Sequence, residues 1–187
     1  MNTYDFDETI FNPDSSYAFI MYCWKRFPGK MIKTLPGVIG AAIVYSRDKS
    51  KAKQLKEKLF AFLPEVDDID KLVEEFWACH QDGIGQWYLE QKKDDDIIIS
   101  ASPEFLLSPI AKQLGVRLIA TPMDKSTGKI EGLNCHDHEK VRRFFEQYPD
   151  AHTEEFYSDS LSDTPMAMIA DKAFVVCKGK LSPWPNK

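Results

Sequence analysis

The apolar positions of the chain change their period twice. Residues 3–6 read as a short strand that runs into an acidic cluster, Asp5, Asp7 and Glu8, followed by Thr9. Beyond it the apolar side chains recur three or four residues apart, which predicts helices. The first covers 16–27, with Tyr17, Phe19, Ile20, Met21 and Trp24, and Pro28-Gly29 stops it. A second covers 30–45, disturbed by Pro36 and Gly37. A third covers 48–62, with Leu55, Leu59, Phe62 and Leu63 on one face. A fourth follows Pro64 and carries Val66, Ile69, Val73, Phe76 and Trp77. No strand is expected in this region.

Strand signals return after the run KKDDD. Ile97, Ile98 and Ile99 form a continuous apolar run closed by Ser100, the pattern of a strand buried on both faces. Ser102-Pro103-Glu104 reads as a helix start, with Ser102 as N-cap and Pro103 at the first helical position, and that helix ends near Gly115. Residues 116–120 are a further strand, and STGKIEG marks a turn with a short hairpin arm. A helix follows over 139–148 with Val141, Phe144 and Phe145 facing inward. Strands at 156–158 and 174–177 flank a helix over 165–171. One strand at the start, alternating strands and helices at the end, and about 80 helical residues between them predict an open α/β sheet with a helical insert after its first strand. Such sheets bind ligands at the carboxyl ends of their strands. Three ends here are polar: Asp5 with Asp7, Ser100, and Asp159 with Asp163.

Composition narrows the class. The chain has 187 residues, 43% hydrophobic and 28% charged, which suits one core with an insert. A net charge of −5 disfavours a nucleic-acid partner. The four cysteines, Cys23, Cys79, Cys135 and Cys177, form no Cys-x-x-Cys pair, so free thiols in a reducing cytoplasm are expected rather than a zinc site. No signal peptide is expected. The longest apolar stretch, 38–45, is too short to cross a bilayer, which takes about 20 residues, so no stable membrane insertion is expected.

Four segments resemble, in order, the motifs of the haloacid dehalogenase superfamily. YDFDET is similar to its DxDx[TV] signature. IIIS, ending in Ser100, resembles its apolar strand closed by Ser or Thr. Lys140, at the start of a helix, matches its lone lysine. SDSLSDTPM resembles its acidic pair, here Asp159 and Asp163. TPMDKSTGKIEGLNCHDHEK further resembles the phosphoserine-phosphatase-like branch, in which a helical cap lies between the first two motifs. The order and spacing fit over nearly the whole chain. Two positions depart from the pattern: Glu8 and Ser158 stand where Gly is common.

The resemblance implies an α/β, doubly wound, mostly parallel Rossmann-like core made of residues 1–13 and 92–187, with an all-helical cap, 14–91, that closes over the site and sets specificity. It implies a phosphoric monoester hydrolase. Asp5 would be the nucleophile, forming an aspartyl-phosphate, and Asp7 the general acid and base. Ser100 and Lys140 would hold the phosphoryl oxygens. Two unit charges 4 Å apart repel by roughly 4 kcal/mol at an effective dielectric of 20. A phosphate ester approaching Asp5, Asp159 and Asp163 therefore needs a cation. The implied cofactor is Mg²⁺, bound by Asp5, the backbone carbonyl of Asp7 and Asp159, with Asp163 in or near the second shell. Thr9 would order the loop.

Blander readings stand beside these. Asp7 or Thr9 can cap a helix, and Asp163 stands where an N-cap before Pro165 belongs. His136 and His138 flank Asp137 and read as a solvated loop rather than a metal site. Residues 47–58 hold six basic and two acidic residues and read as the solvated face of a helix, or as a device that steers anions toward the cleft. The leading reading is a Mg²⁺-dependent phosphatase of a small phosphate monoester. The alternatives are a non-catalytic phospho-ligand-binding or regulatory protein on the same fold, a phosphate-accepting receiver domain, and a lipid-phosphate phosphatase that reaches its substrate through the apolar cap. The substrate and the oligomeric state are left open.

Overall fold

A computed structural model describes residues 1–185. Five parallel strands and one antiparallel edge strand form the central sheet, in the order β3-β2-β1-β6-β7-β8. These are β1 (Thr3–Tyr4), β2 (Ile97–Pro103), β3 (Arg117–Thr121), β6 (Glu155–Ser158), β7 (Lys172–Cys177) and β8 (Lys180–Pro183). A separate hairpin pairs β4 (Met123–Asp124) with β5 (Lys129–Ile130). The structure is α/β, with a mostly parallel sheet and helices on both faces.

Five helices lie between β1 and β2: α1 (Ser15–Arg26), α2 (Pro28–Arg47), α3 (Ala52–Leu59), α4 (Ile69–His80) and α5 (Gln86–Gln91). Three follow: α6 (Glu104–Leu114), α7 (His138–Gln147) and α8 (Thr164–Ile169). Side chains alternate across each strand and so build two cores. Ile97, Ile99 and Phe156 join Phe144 of α7 and Met166 of α8 on one face. Tyr4, Ile98 and Tyr157 join Phe19, Phe76, Trp77, Tyr88 and Leu106 on the other. The helices between β1 and β2 thus share one apolar cluster with the sheet. The Tyr4 and Tyr157 rings stack at 4.7 Å, and the Trp77 ring meets Phe6 and Phe11 edge-on.

Several local expectations change. α2 is continuous from Pro28 to Arg47 despite Pro36. Pro36 is exposed, so water can satisfy the carbonyl that its missing N–H leaves free. The third helix is shorter than its pattern, and Phe62 and Leu63 are buried beyond its end. Phe145 is 39% exposed. Lys140 and Phe144, four apart, take the inward face of α7, and Phe145 lies about 100° round from it. Ser102 is not a helix cap. Pro103 keeps extended angles (φ −61°, ψ 135°), so β2 runs through it and α6 begins at Glu104 without a side-chain cap. The edge strand β8 and helix α5 had no signal of their own.

Candidate active site

The carboxyl ends of β1, β2 and β6 meet beside the start of α7. The Asp5 amide donates to the Tyr157 carbonyl (2.8 Å), which carries the β1–β6 pairing one residue past the strand. The chain then doubles back, with the amides of Ile10 and Phe11 both bonded to the Phe6 carbonyl at 2.9 Å. Glu8 sits in this turn at φ 57°, the left-handed region that favours glycine. The Thr9 hydroxyl accepts the Asp159 amide (2.9 Å) and lies 3.4 Å from the Asp159 carboxylate, tying the β1 turn to the end of β6.

Lys140 stands at the centre. It is 2% exposed, and its Nζ donates to Asp5 (2.6 Å) and to Asp163 (2.7 Å). Asp163 also accepts the Ser158 hydroxyl (2.8 Å) and makes no capping bond to α8. The side chain that a helix-cap reading would turn to α8 is therefore turned to the lysine. Burial pushes the Asp5 carboxyl up to about 7 against the pull of Lys140, with Asp163 and Asp7 adding to the rise. Burial also lowers the lysine's affinity for its proton, but Asp5 and Asp163 outweigh it and hold the ammonium above its ordinary range.

Asp7 accepts the Ser15 amide at the first turn of α1 (2.6 Å) and the Ser102 hydroxyl (2.5 Å). Ser15 and Ser16 of α1 bring their hydroxyls within 3.2 and 2.9 Å of the Ser102 oxygen. Ser100 lies 3.4 Å from the same Asp7 oxygen, accepts the Ser102 amide, and is fully buried. Residues 100 and 102 share a strand face, and it is Ser102 that lines the open space. Reading Ser102 as a cap concealed this; the two-residue spacing from Ser100 along a strand was the signal available.

These groups floor a cavity of about 590 Å³. Asp5, Asp7, Asp159, Asp163 and Lys140 line its acidic end, and His136 also reaches it. Tyr17, Ile20, Met21 and Trp24 of α1, with Leu59 and Phe60, form an apolar wall. Lys56 of α3 lines it too, its Nζ on the Ala101 carbonyl (2.7 Å) and the Asn134 side chain (2.8 Å). His138 is exposed, with its ring 3.8 Å from the Asp137 carboxylate.

A family model described as haloacid dehalogenase-like hydrolase matches residues 3–168. The chain belongs to that family. Protein CicA of Caulobacter vibrioides is 28% identical over 193 residues, covering 95% of this chain and 86% of its own. A protein of unknown function from Bordetella pertussis Tohama I has a similar structure (TM-score 0.76, 22% identity, 92% of this chain and 87% of that one). So does a phosphoserine phosphohydrolase-like protein from Francisella tularensis (TM-score 0.60, 16% identity, 96% and 88%). All four motif segments of this haloacid dehalogenase-like hydrolase fall inside the matched residues.

The donor set fits a hard divalent cation. Asp5, Asp7, Glu8, Asp14, Asp159 and Asp163 face the cavity against two lysines, Lys56 and Lys140. Burial, then the charge of Glu8, raises the Asp159 carboxyl to about 6. The acidic end is thus short of positive charge, and its donors are oxygens, the ligands Mg²⁺ prefers. Among the described residues no three acidic, histidine or cysteine side chains converge on one point in this conformation. Lys140 holds one oxygen each of Asp5 and Asp163, and the Asp159 carboxylate has only the long Thr9 contact, so each of the three keeps an oxygen that could turn to an ion.

Proposed function

We propose that this hydrolase removes the phosphoryl group from a small phosphate monoester, using Asp5 as nucleophile. The observation that carries the reading is the Asp5–Lys140–Asp163 cluster at the floor of an open cavity, with Asp7 two residues from the nucleophile. Asp5 attacks phosphorus in line, the ester P–O bond breaks, and the departing alkoxide takes a proton from Asp7. Water then attacks the aspartyl-phosphate, Asp7 takes back a proton, and phosphate leaves with Asp5 restored. Lys140 balances the charge that gathers on the phosphoryl oxygens. The Ser100 hydroxyl accepts the Ser102 amide and donates only a long bond to Asp7, so its proton is available to a phosphoryl oxygen. Ser102 positions Asp7. Asp5, the Asp7 carbonyl and Asp159 would hold Mg²⁺, with Asp163 behind them, and the ion would supply positive charge against the phosphate dianion. Residues 14–91 cover the site and exclude water. The setting is the cytoplasm, where the four cysteines stay as thiols.

Hydrolysis of a generic aryl phosphate with Mg²⁺ tests the reading. The wild-type chain turns it over, and Asp5→Asn lowers kcat by about 10³-fold or more without changing the circular dichroism spectrum. Full activity in Asp5→Asn refutes the assignment. An inert wild-type chain that binds one phospho-ligand tightly would make the protein a binding module.

A further inference from the structure

Helix α2 packs on α1 and α3 yet keeps nearly all of its residues out of the core. Of its 20 residues only Met31 is buried. Ile32, Ile39, Ile43 and Val44 are 46–56% exposed. Ile32, Pro36, Ile39 and Ile43 follow at i, i+4, i+7 and i+11, so they form one stripe along the helix. From Leu35 to Tyr45 there is no charged residue, a length of about 16 Å at 1.5 Å per residue. At the cavity rim Tyr17 and Met21 of α1 are also exposed, at 61% and 39%.

Both ends of this segment are basic. Lys25, Arg26, Lys30 and Lys33 precede it, and Arg47, Lys49, Lys51, Lys53, Lys56 and Lys58 follow. From Lys25 to Lys58 there are ten basic residues and two acidic ones, Asp48 and Glu57, a charge of +8. The whole chain carries −5, so the remainder carries −13. Some of these cations are engaged elsewhere: Arg26 pairs with Glu75, Lys33 with Glu65 and Lys51 with Asp48, and Lys56 turns into the cavity. Exposed Lys25, Arg47 and Lys58 have no ion pair among the described residues.

We infer that α2 and its basic flanks dock on an anionic lipid bilayer, with the helix lying in the interface plane. An exposed apolar stripe bracketed by lysine and arginine is what such a surface selects, the side chains entering the headgroup boundary and the cations meeting acidic lipids. No helix of the described residues is long and apolar enough to cross a membrane, so the contact is peripheral. A second copy is a poor occupant: a two-fold interface sets a patch against itself and would bring two segments of +8 together.

Sedimentation of the full chain with vesicles tests this. Phosphatidylcholine vesicles containing about one third phosphatidylglycerol pull the protein down, pure phosphatidylcholine does not, and salt releases it. Ile39→Asp with Ile43→Asp, and separately Arg47→Glu with Lys58→Glu, lower the bound fraction by about tenfold or more. The Ile39→Asp with Ile43→Asp pair leaves the turnover of a water-soluble ester unchanged, because these side chains do not line the cavity. Binding that is absent from anionic vesicles, or unmoved by both pairs of substitutions, overturns the inference. So does a solution dimer that Ile39→Asp with Ile43→Asp dissociates, since the face would then belong to a second copy.

Discussion

The floor of the cavity and helix α2 are opposite solutions to placing polar and apolar groups. At the floor, charge is buried and every carboxylate near Lys140 has a named partner: Lys140 for Asp5, Lys140 and Ser158 for Asp163, Thr9 for Asp159. On α2 apolar groups are exposed along the face turned away from α1 and the core. A buried charge network fixes geometry because each loss strands another charge. An exposed apolar stripe leaves geometry loose and keeps surface free for a partner. The chain is therefore over-determined where bonds must be broken and under-packed where a second surface can be met.

The largest test of this contrast is a pair of substitutions. Lys140→Met leaves Asp5 and Asp163 facing each other without a cation and costs about 3–5 kcal/mol at pH 8 by urea unfolding. Ile39→Ser on α2 changes stability by less than about 0.5 kcal/mol. Similar values for the two would break the comparison.

The pH dependence sharpens it. The folded Asp5 carboxyl titrates near 7 against an ordinary 3.8. Between those values the folded chain holds more protons than the unfolded one, so stability falls as pH rises. In the presence of a chelator the protein is less stable at pH 8 than at pH 5 by about 2 kcal/mol from this group. Asp5→Asn flattens the difference, since it leaves Lys140 in a balanced pair with Asp163. Thermal melts of both chains across this range measure it, and parallel slopes would refute the assignment to Asp5.

Smaller effects probe the edges of the floor. Ser102→Ala removes a 2.5 Å bond to Asp7 and lowers kcat by about tenfold, with little change in KM or melting temperature, if Asp7 is the proton donor proposed above. Glu8→Gly relieves a left-handed backbone and removes a charge that helps raise Asp159. It stabilises the chain by about 0.5–1 kcal/mol in thermal melts.

Much of the fold was legible because it depends on local pattern. The run of Ile97, Ile98 and Ile99 has the pattern of a strand buried on both faces, and Ile98 does face one core while its neighbours face the other. The periodicity placed α1 within one residue of each end, and put α4 after Pro64 without fixing its ends. What pattern alone did not show is how the helices between β1 and β2 pack: they fuse with the sheet's own core. The departure at Glu8 was visible as a missing glycine, but its meaning, a φ of 57°, needs the turn itself. The role of Ser102 stayed hidden because Ser-Pro-Glu is a good helix start, and only the pairing of Pro103 with Thr121 keeps the strand extended that far.

The sequence by itself determined the chemistry on offer: carboxylates two apart after a first strand, a serine closing an apolar strand, a lone lysine, and an acidic pair, in an order that resembles one family. That information is local and ordered along the chain, so it survives without coordinates. Tertiary structure decided which of those groups touch. Lys140 joins Asp5 across 135 residues and Asp163 across 23, and Ser102 joins Asp7 across 95. It also left α2 apolar and uncovered. Contacts over such separations depend on sheet order and helix packing, quantities no short window of residues contains.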